Sequence, residues 1–276
     1  MVRTVEFLRN PSAGGSKTSS YWLPPCLQGA KDAGLDAFTV VSYKGKGHWL
    51  SLFGIGDEYH ERVNAEHIGK GLPSACWDLG YLGRSDTYVR VSIDEAHPSH
   101  AWMERTEPDP SRWLKLNLSL SENYDPDGHV IVVGMGRKSR AYLHLLDWER
   151  SKLQEASERF PGRRIIYRPK LNKRQVEDAL VPWPDSSVGG SIQDLLKGAS
   201  LVICRHSNVA VDACIAGVPV ECEAGAAHWL YSRGTTPTVK ERLDFLYRLC
   251  HWQYQRNNED MKRGWEFLIK VSANGS

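Results

Sequence analysis

Three short stretches carry residues whose types and order suit the binding of an anion. Gly134-Met135-Gly136-Arg137-Lys138-Ser139-Arg140 joins two glycines, which let a backbone approach a ligand closely, to three cations and a hydroxyl. Held at Gly134, Gly136, Arg137 and Lys138, a diphosphate would suit it. Tyr167-Arg168-Pro169-Lys170 offers a guanidinium able to grip a phosphate with two N–H groups, a proline with no N–H to satisfy, and an ammonium point charge. In Arg205-His206-Ser207-Asn208, the last two residues fall where a helix begins and unpaired N–H groups attract anions. A solvated basic turn, a surface salt bridge and a plain helix cap are the structural explanations of the same three stretches.

Each stretch follows an apolar run that reads as a strand: residues 129–133, 164–167 and 201–204. A helix over 209–216 closes on Gly217, and 218–221 reads as a further strand. Asp147 is placed to cap a helix over 148–160, and Ser191-Ile192-Gln193-Asp194 to open a short one. Short apolar runs alternating with helices predict a parallel sheet covered on both faces, with ligands beyond the carboxyl ends of its strands. Thr238-Val239-Lys240-Glu241 is a second capping-box pattern, and Leu243, Leu246, Leu249 and Cys250 follow at helical spacing. Asn258 is placed to cap a last helix with Met261, Trp265 and Leu268 on one face. The first half predicts a strand over 4–8, a helix over 21–33 with Pro24 and Pro25 near its start, a strand over 37–43, a helix over 60–68 and strands over 75–79 and 88–93, a β-loop-α series. The turn-rich stretch Ser121-Glu122-Asn123-Tyr124-Asp125-Pro126-Asp127-Gly128 predicts the boundary between domains 1–124 and 125–250, with 251–276 as a final helix.

A chain of 276 residues is comfortable for two domains, and 41% hydrophobic with 25% charged residues is the balance of a globular protein. No run of about 18 apolar residues and no signal-peptide pattern is present, so neither a membrane segment nor export is expected. The six cysteines form no CxxC pair and no zinc spacing; Cys204, Cys214 and Cys222 read as small core residues, and a reducing cytoplasm is expected. A net charge of +2 neither demands nor forbids nucleic acid. Most of the ten tryptophans are expected to be core.

Residues 191–222 resemble the donor-binding half of GT-B glycosyltransferases: a short helix, a buried strand, Ser207-Asn208 at a helix start, and an Ala-rich helix ending in Gly217-Val218-Pro219-Val220, with Arg168-Pro169-Lys170 before them. The resemblance spans about residues 130–222. It implies an α/β fold of two Rossmann-like domains facing across a cleft, with C-terminal helices crossing back to the N-domain. It also implies a nucleotide-diphosphate sugar (UDP-sugar foremost) as co-substrate and no required metal. Donor binding then falls to Gly14 and Gly15 after the first strand, Gly134, Gly136, Arg137, Lys138, Arg168, Lys170, His206, Ser207 and Asn208. Gly14-Gly15-Ser16-Lys17-Thr18 does not complete a phosphate-binding P-loop, because Ser16 separates Gly15 from Lys17.

A base must take the acceptor hydroxyl's proton as the sugar carbon is attacked. Asp78, in the apolar run Trp77-Asp78-Leu79, is the foremost candidate, as a partly buried carboxylate with a raised pKa; Asp94 and His97 compete with it. Asp125-Pro126-Asp127 matches a metal-binding DxD pattern loosely and reads as a turn. The length and the Trp and basic content are similar to phage DNA-modifying glycosyltransferases, which act on 5-hydroxymethylated pyrimidines. That likeness implies double-stranded DNA as partner, Trp49 or Trp102 beside a flipped base, and Lys44, Lys46, Arg62, Lys70, Arg84 and Arg90 along the backbone. The rival acceptor is a surface glycan or small molecule. A rival of another class is a non-catalytic nucleotide-binding protein on the same fold.

Overall fold

Trp49-Leu50-Ser51-Leu52-Phe53 is a strand buried at every residue, and the N-terminal half of the chain assembles around it. A computed structural model describes residues 3–9, 17–54, 58–83, 87–136, 139–140, 143–170, 181–233 and 236–273. The chain forms two compact units, Met1–Leu116 with Leu246–Ser276 as unit 1 and Asn117–Phe245 as unit 2.

Unit 1 holds β1 (Thr4–Leu8), α1 (Lys17–Asp32), β2 (Asp36–Val40), β3 (Trp49–Phe53), α2 (Glu58–Gly69), β4 (Ser74–Leu79), β5 (Tyr88–Ile93), α3 (His100–Arg105) and α4 (Pro110–Lys115). From the far end of the chain it takes β10 (Gln253–Gln255) and α10 (Asn258–Ala273). Its sheet runs β10-β5-β4-β3-β1-β2. β1 to β4 are parallel, β5 is antiparallel to β4, and β10 is antiparallel to β5. The expected β-loop-α series therefore stops at β4. Residues 80–87 are too few for the crossover of about a dozen or more that a parallel neighbour needs, so β4 and β5 form a hairpin.

Two helices that begin at the same sheet edge, α1 and α10, pack together over this sheet. At Gly29 an added Cβ would stand 2.6 Å from the Met261 Cβ and 2.7 Å from the Lys262 nitrogen, so only glycine permits the approach. Met261, Trp265 and Leu268 are wholly buried, the face expected of them. The Trp265 ring lies 5.8, 5.9 and 5.5 Å from Phe7, Trp49 and Trp77, and its Nε1 donates to the Cys26 carbonyl at 3.1 Å. Two details differ from expectation. α1 begins at Lys17, which puts Pro24 and Pro25 in its interior. The cap of α10 is Asn257, whose Oδ1 accepts from the Asp260 nitrogen at 2.8 Å.

Unit 2 holds β6 (Tyr124–Val133), α5 (Trp148–Arg159), β7 (Ile165–Arg168), α6 (Ile192–Leu196), β8 (Ala199–Cys204), α7 (Val209–Ala216), β9 (Val220–Cys222), α8 (His228–Tyr231) and most of α9 (Val239–Leu249). Its four strands are all parallel, in the order β7-β6-β8-β9. Val130, Val132, Ile165, Tyr167 and Ile203 bury one face of the sheet against Leu153 and Ala156 of α5. Gly217 closes α7 at φ +76°, and Thr238 and Glu241 cap α9 reciprocally at 2.8 and 3.3 Å. Residues 121–128 do not lie at the division. The Ser121 and Asn123 nitrogens donate to the Ile215 and Ala216 carbonyls at 2.9 and 2.8 Å, which ties them into unit 2. Asp125 to Gly128 form an excursion within β6, closed by the Asp127 nitrogen on Asp125 Oδ1 at 3.0 Å. Among the described residues no helix is long and apolar enough to cross a membrane.

Trp265→Ala removes the largest side chain joining the two segments of unit 1. It should cost about 3–5 kcal/mol, read as a lower urea midpoint for the transition that exposes the unit 1 tryptophans.

Candidate functional site

In parallel sheets the carboxyl edge is where loops open and helix N-termini point. In unit 2 this edge is organised by two acids. Glu149, wholly buried on α5, accepts from the Met135 nitrogen at 2.8 Å through one oxygen and from Arg140 Nη1 at 3.1 Å through the other. Arg140, one of the three cations expected at a diphosphate, is thereby paired with Glu149. Gly134 is confined as well: an added Cβ would stand 3.0 Å from the Tyr167 hydroxyl and 3.2 Å from Glu149 Oε1. Burial, and next the nearby Glu149, push the Tyr167 hydroxyl up to about 12. It stays protonated at the turn. Glu223, just past β9, accepts from Trp148 Nε1 at 2.9 Å and pairs with Arg205 at 3.4 Å and Lys152 at 3.6 Å. The Arg205 carbonyl accepts from the Glu223 and Ala224 nitrogens at 3.1 and 2.7 Å, which joins the loops after β8 and β9.

The expected donor residues divide on this frame. Ser207 and Asn208 lie at the start of α7, where Ser207 Oγ accepts from the Val209 nitrogen at 3.2 Å and the Asn208 side chain makes no capping bond. His206 lies half-buried beside them, its backbone against Gly225. Gly136 and Lys170 adjoin each other: a Cβ on Gly136 would stand 3.8 Å from Lys170 Cδ. Arg168 faces its own chain. Its guanidinium donates to the carbonyls of Ser187 at 3.0 Å, Gly190 at 2.9 Å and Gly189. It shapes the 187–190 loop at the sheet edge. Gly14, Gly15, Arg137, Lys138 and Arg84 lie outside the described residues.

In unit 1 the hairpin separates the candidate bases. Asp78 and Asp94 sit on opposite edges of the sheet, because β5 runs against β4. Asp94 pairs with Ser74 at the amino end of β4, about 13 Å along the strand from Asp78 at ~3.3 Å per residue. There its Oδ1 accepts from the Ser74 nitrogen at 2.8 Å, and its carbonyl accepts from Asn64 Nδ2 at 2.7 Å. Asp94 has φ +66°, a left-handed conformation that aspartate tolerates better than most residues. Burial raises its carboxyl pKa, which the Ser74 N–H partly opposes.

Asp78 lies at the carboxyl edge and faces Arg90 across the hairpin. Its Oδ2 accepts from Arg90 Nη2 at 2.8 Å and its Oδ1 from the Leu79 nitrogen at 2.7 Å. The Arg90 guanidinium stands 5.1 Å from the centre of the Tyr81 ring, and the Tyr81 hydroxyl meets His97 Nδ1 at 3.2 Å. Asp78 and His97, read separately in the sequence, are thus the ends of one connected set. Gln253 of β10, almost wholly buried, holds the intervening turn by accepting from the Tyr81 and Leu82 nitrogens, both at 2.8 Å.

Trp49 is wholly buried against Trp265 and packs as core, not as a wedge beside a base. Trp102 is half-buried on α3 under Arg105 at 5.1 Å. Of the described basic residues expected along DNA, Arg90 stands at the carboxyl edge in a pair with Asp78, and the others have their own settings. The nitrogens of Lys44 and Lys46 are held at the amino end of the sheet by the wholly buried Glu6, at 2.5 and 2.9 Å. Lys70 pairs with Glu66 at 2.8 Å, and Arg62 lies over Tyr59 at 5.6 Å. Asp125 and Asp127 form the turn within β6, and among the described residues no group of three His, Cys, Asp or Glu is arranged to hold a metal. Sequence reading missed Glu149, Glu223, Tyr81 and Gln253. None follows directly on a strand of the parallel series, except Glu223, whose signal was its place after the apolar run ending at Cys222.

These two sheets with flanking helices define a GT-B-like α/β fold of two Rossmann-like units. Among solved structures, the chain is similar to two of KpsC from Thermosulfurimonas dismutans. The β-Kdo 2,7 transferase matches at TM-score 0.54 and 14% identity over 98% of this chain and 99% of that one. The β-Kdo 2,4 transferase matches at TM-score 0.55 and 12% identity over 98% of each. Identities this low carry the fold alone. No protein-family model and no curated protein matches the chain in sequence.

Asp94→Asn keeps the acceptor for the Ser74 N–H and removes a charge that burial disfavours. Because the folded carboxyl titrates above the ordinary 3.8, the wild type loses stability as pH rises through that range and carries the full penalty at neutral pH. Asp94→Asn should therefore match the wild type near pH 4 and exceed it at pH 7, measured as urea midpoints at both values.

Proposed function

We propose that the chain is a glycosyltransferase that moves a sugar from a nucleotide-sugar donor to a hydroxyl of a glycan. The observation that carries this is the pairing of two features at the carboxyl edge of unit 2. The α7 start at Ser207-Asn208, where the first N–H groups are held by Ser207 and Asn208, brings the positive end of a helix dipole to the edge, and Lys170 beside Gly136 adds a cation. The two KpsC structures are named as transferases of Kdo, which supports a sugar as the transferred group.

In the reaction, the acceptor oxygen forms a bond to the anomeric carbon while that carbon's bond to the donor phosphate breaks. Negative charge grows on the departing phosphate, where the positive end of the α7 dipole and Lys170 stabilise it. Arg168 acts as a positioning residue through the 187–190 loop. Asp78 accepts the proton of the attacking hydroxyl, with Arg90 fixing the carboxylate. His97 is linked to the same group through the Tyr81 side chain.

The hydroxymethylated-DNA acceptor is the second reading, and no observation favours it: Trp49 is core, and Lys44, Lys46 and Lys70 stand away from the Asp78 edge. The non-catalytic reading differs in its response to substitution at Asp78.

The test is a panel of nucleotide-sugar donors with oligosaccharide acceptors and with hydroxymethylated duplex DNA, read by mass. A one-sugar mass gain on an oligosaccharide is expected, with Asp78→Asn lowering kcat by about 10²–10⁴ and Arg168→Ala raising the donor KM. Transfer to DNA alone would replace the acceptor, and absence of both transfer and donor binding would overturn the enzyme.

A further inference from the structure

Unit 1 contains a cavity of about 240 Å³ that none of the candidate groups occupies, where β10 meets α4 and the first turn of α10. A cavity of about 150 Å³ holds benzene, so this one admits a six-membered ring with its substituents. Its walls are polar and of both hydrogen-bonding kinds. Arg112, Lys115 and Arg263 donate, Glu259 accepts, Gln255 does both, and Tyr88 adds an aromatic ring.

The commitments of these groups indicate what would fit. Arg263 is paired with Glu259 at 2.5 Å and Asp260 at 3.4 Å. Arg112 uses Nε and Nη2 on the Cys250 and Gln253 carbonyls at 3.0 and 2.8 Å, which leaves Nη1 uncommitted among the described residues. The Lys115 ammonium has no partner among the described residues, and it is exposed. One Glu259 oxygen remains available among the described residues, while Gln255 donates to the Tyr88 hydroxyl at 3.0 Å and accepts from Asn257 Nδ2 at 3.3 Å. A phosphate backbone would meet Glu259 and Asp260 and be repelled, and an apolar ligand would strand the donors. A polyol matches such walls, because each hydroxyl both donates and accepts.

Location adds a second argument. Gln255 and Tyr88 are register partners at the carboxyl edge, and β10, β5 and β4 are successive neighbours. The cavity thus flanks the Asp78 edge at two strand spacings, about 10 Å. We propose that this cavity is a subsite for a second sugar residue of the acceptor glycan, a monosaccharide unit removed from the reacting hydroxyl. The proposal rests on the glycosyltransferase reading for its meaning, although its binding chemistry stands alone.

Free glucose, galactose, N-acetylglucosamine and glucuronate at millimolar concentration serve as probes in saturation-transfer NMR, with nucleotide binding measured on the same samples. At least one sugar should receive saturation from the protein. Gln255→Trp, which fills the cavity from an exposed strand position, should abolish the signal, and Lys115→Ala should weaken binding at least threefold. Both variants should keep nucleotide binding and the wild-type melting temperature. No saturation for any sugar, or saturation that persists in both variants, would overturn the subsite while leaving the donor reading intact. Sugar binding that responds to the variants, with no nucleotide binding, would keep the subsite and sink the enzyme.

Discussion

The indole of Trp265 is the contact on which unit 1 depends. It touches Phe7 of β1, Trp49 of β3 and Trp77 of β4, and its N–H reaches the Cys26 carbonyl of α1. A single side chain from the end of the chain thereby fixes three central strands and the first helix. The sheet cannot bury its face without it, since the neighbouring elements on that face leave the space that the indole fills. The same C-terminal segment supplies Gln253, which holds the turn after β4 and so sets where Tyr81 lies. Positioning at the Asp78 edge is inherited from residues far away in sequence.

Unit 2 solves a different problem. The paired central residues of its strands are largely apolar and need little help to pair, and its loops meet at one edge. Glu149 takes the Met135 N–H and Glu223 the Trp148 indole N–H, and each also pairs with an arginine. Glu149 is wholly buried and holds its loop at a cost in desolvation, whereas Glu223 is exposed and costs little to charge.

Much of this was legible in the sequence where one physical rule acted alone. The unit 2 strands read correctly because runs of β-branched residues have no other stable use, and the caps at Ser191, Thr238 and Gly217 are local chemistry. The face of Met261, Trp265 and Leu268 followed from helical spacing. Reading failed where tertiary partners decide. The strand Trp49 to Phe53 was missed, with Trp49 alone singled out as a wedge, because an isolated apolar pentapeptide announces neither strand nor site. The hairpin of β4 and β5 was hidden because both strands look alike whichever way they run, and with it the fact that Asp94 and Asp78 are on different edges. Arg168 and Arg140 were placed at the right edge, but their partners, the 187–190 carbonyls and Glu149, are set by loop geometry that spacing does not encode.

Unit 1 is built from two segments that flank unit 2 in the chain. On the ribosome, Asn117–Phe245 is complete before α10 is made, so the second unit can close its core while the first still lacks the helix carrying Trp265. During that interval the apolar faces of β1, β3 and β4 stand uncovered, and Phe7, Trp49 and Trp77 are presented to whatever is nearby. Unit 1 is therefore begun first and completed last. A nascent chain of this design has reason to engage a chaperone at its N-terminal sheet until translation has passed residue 265.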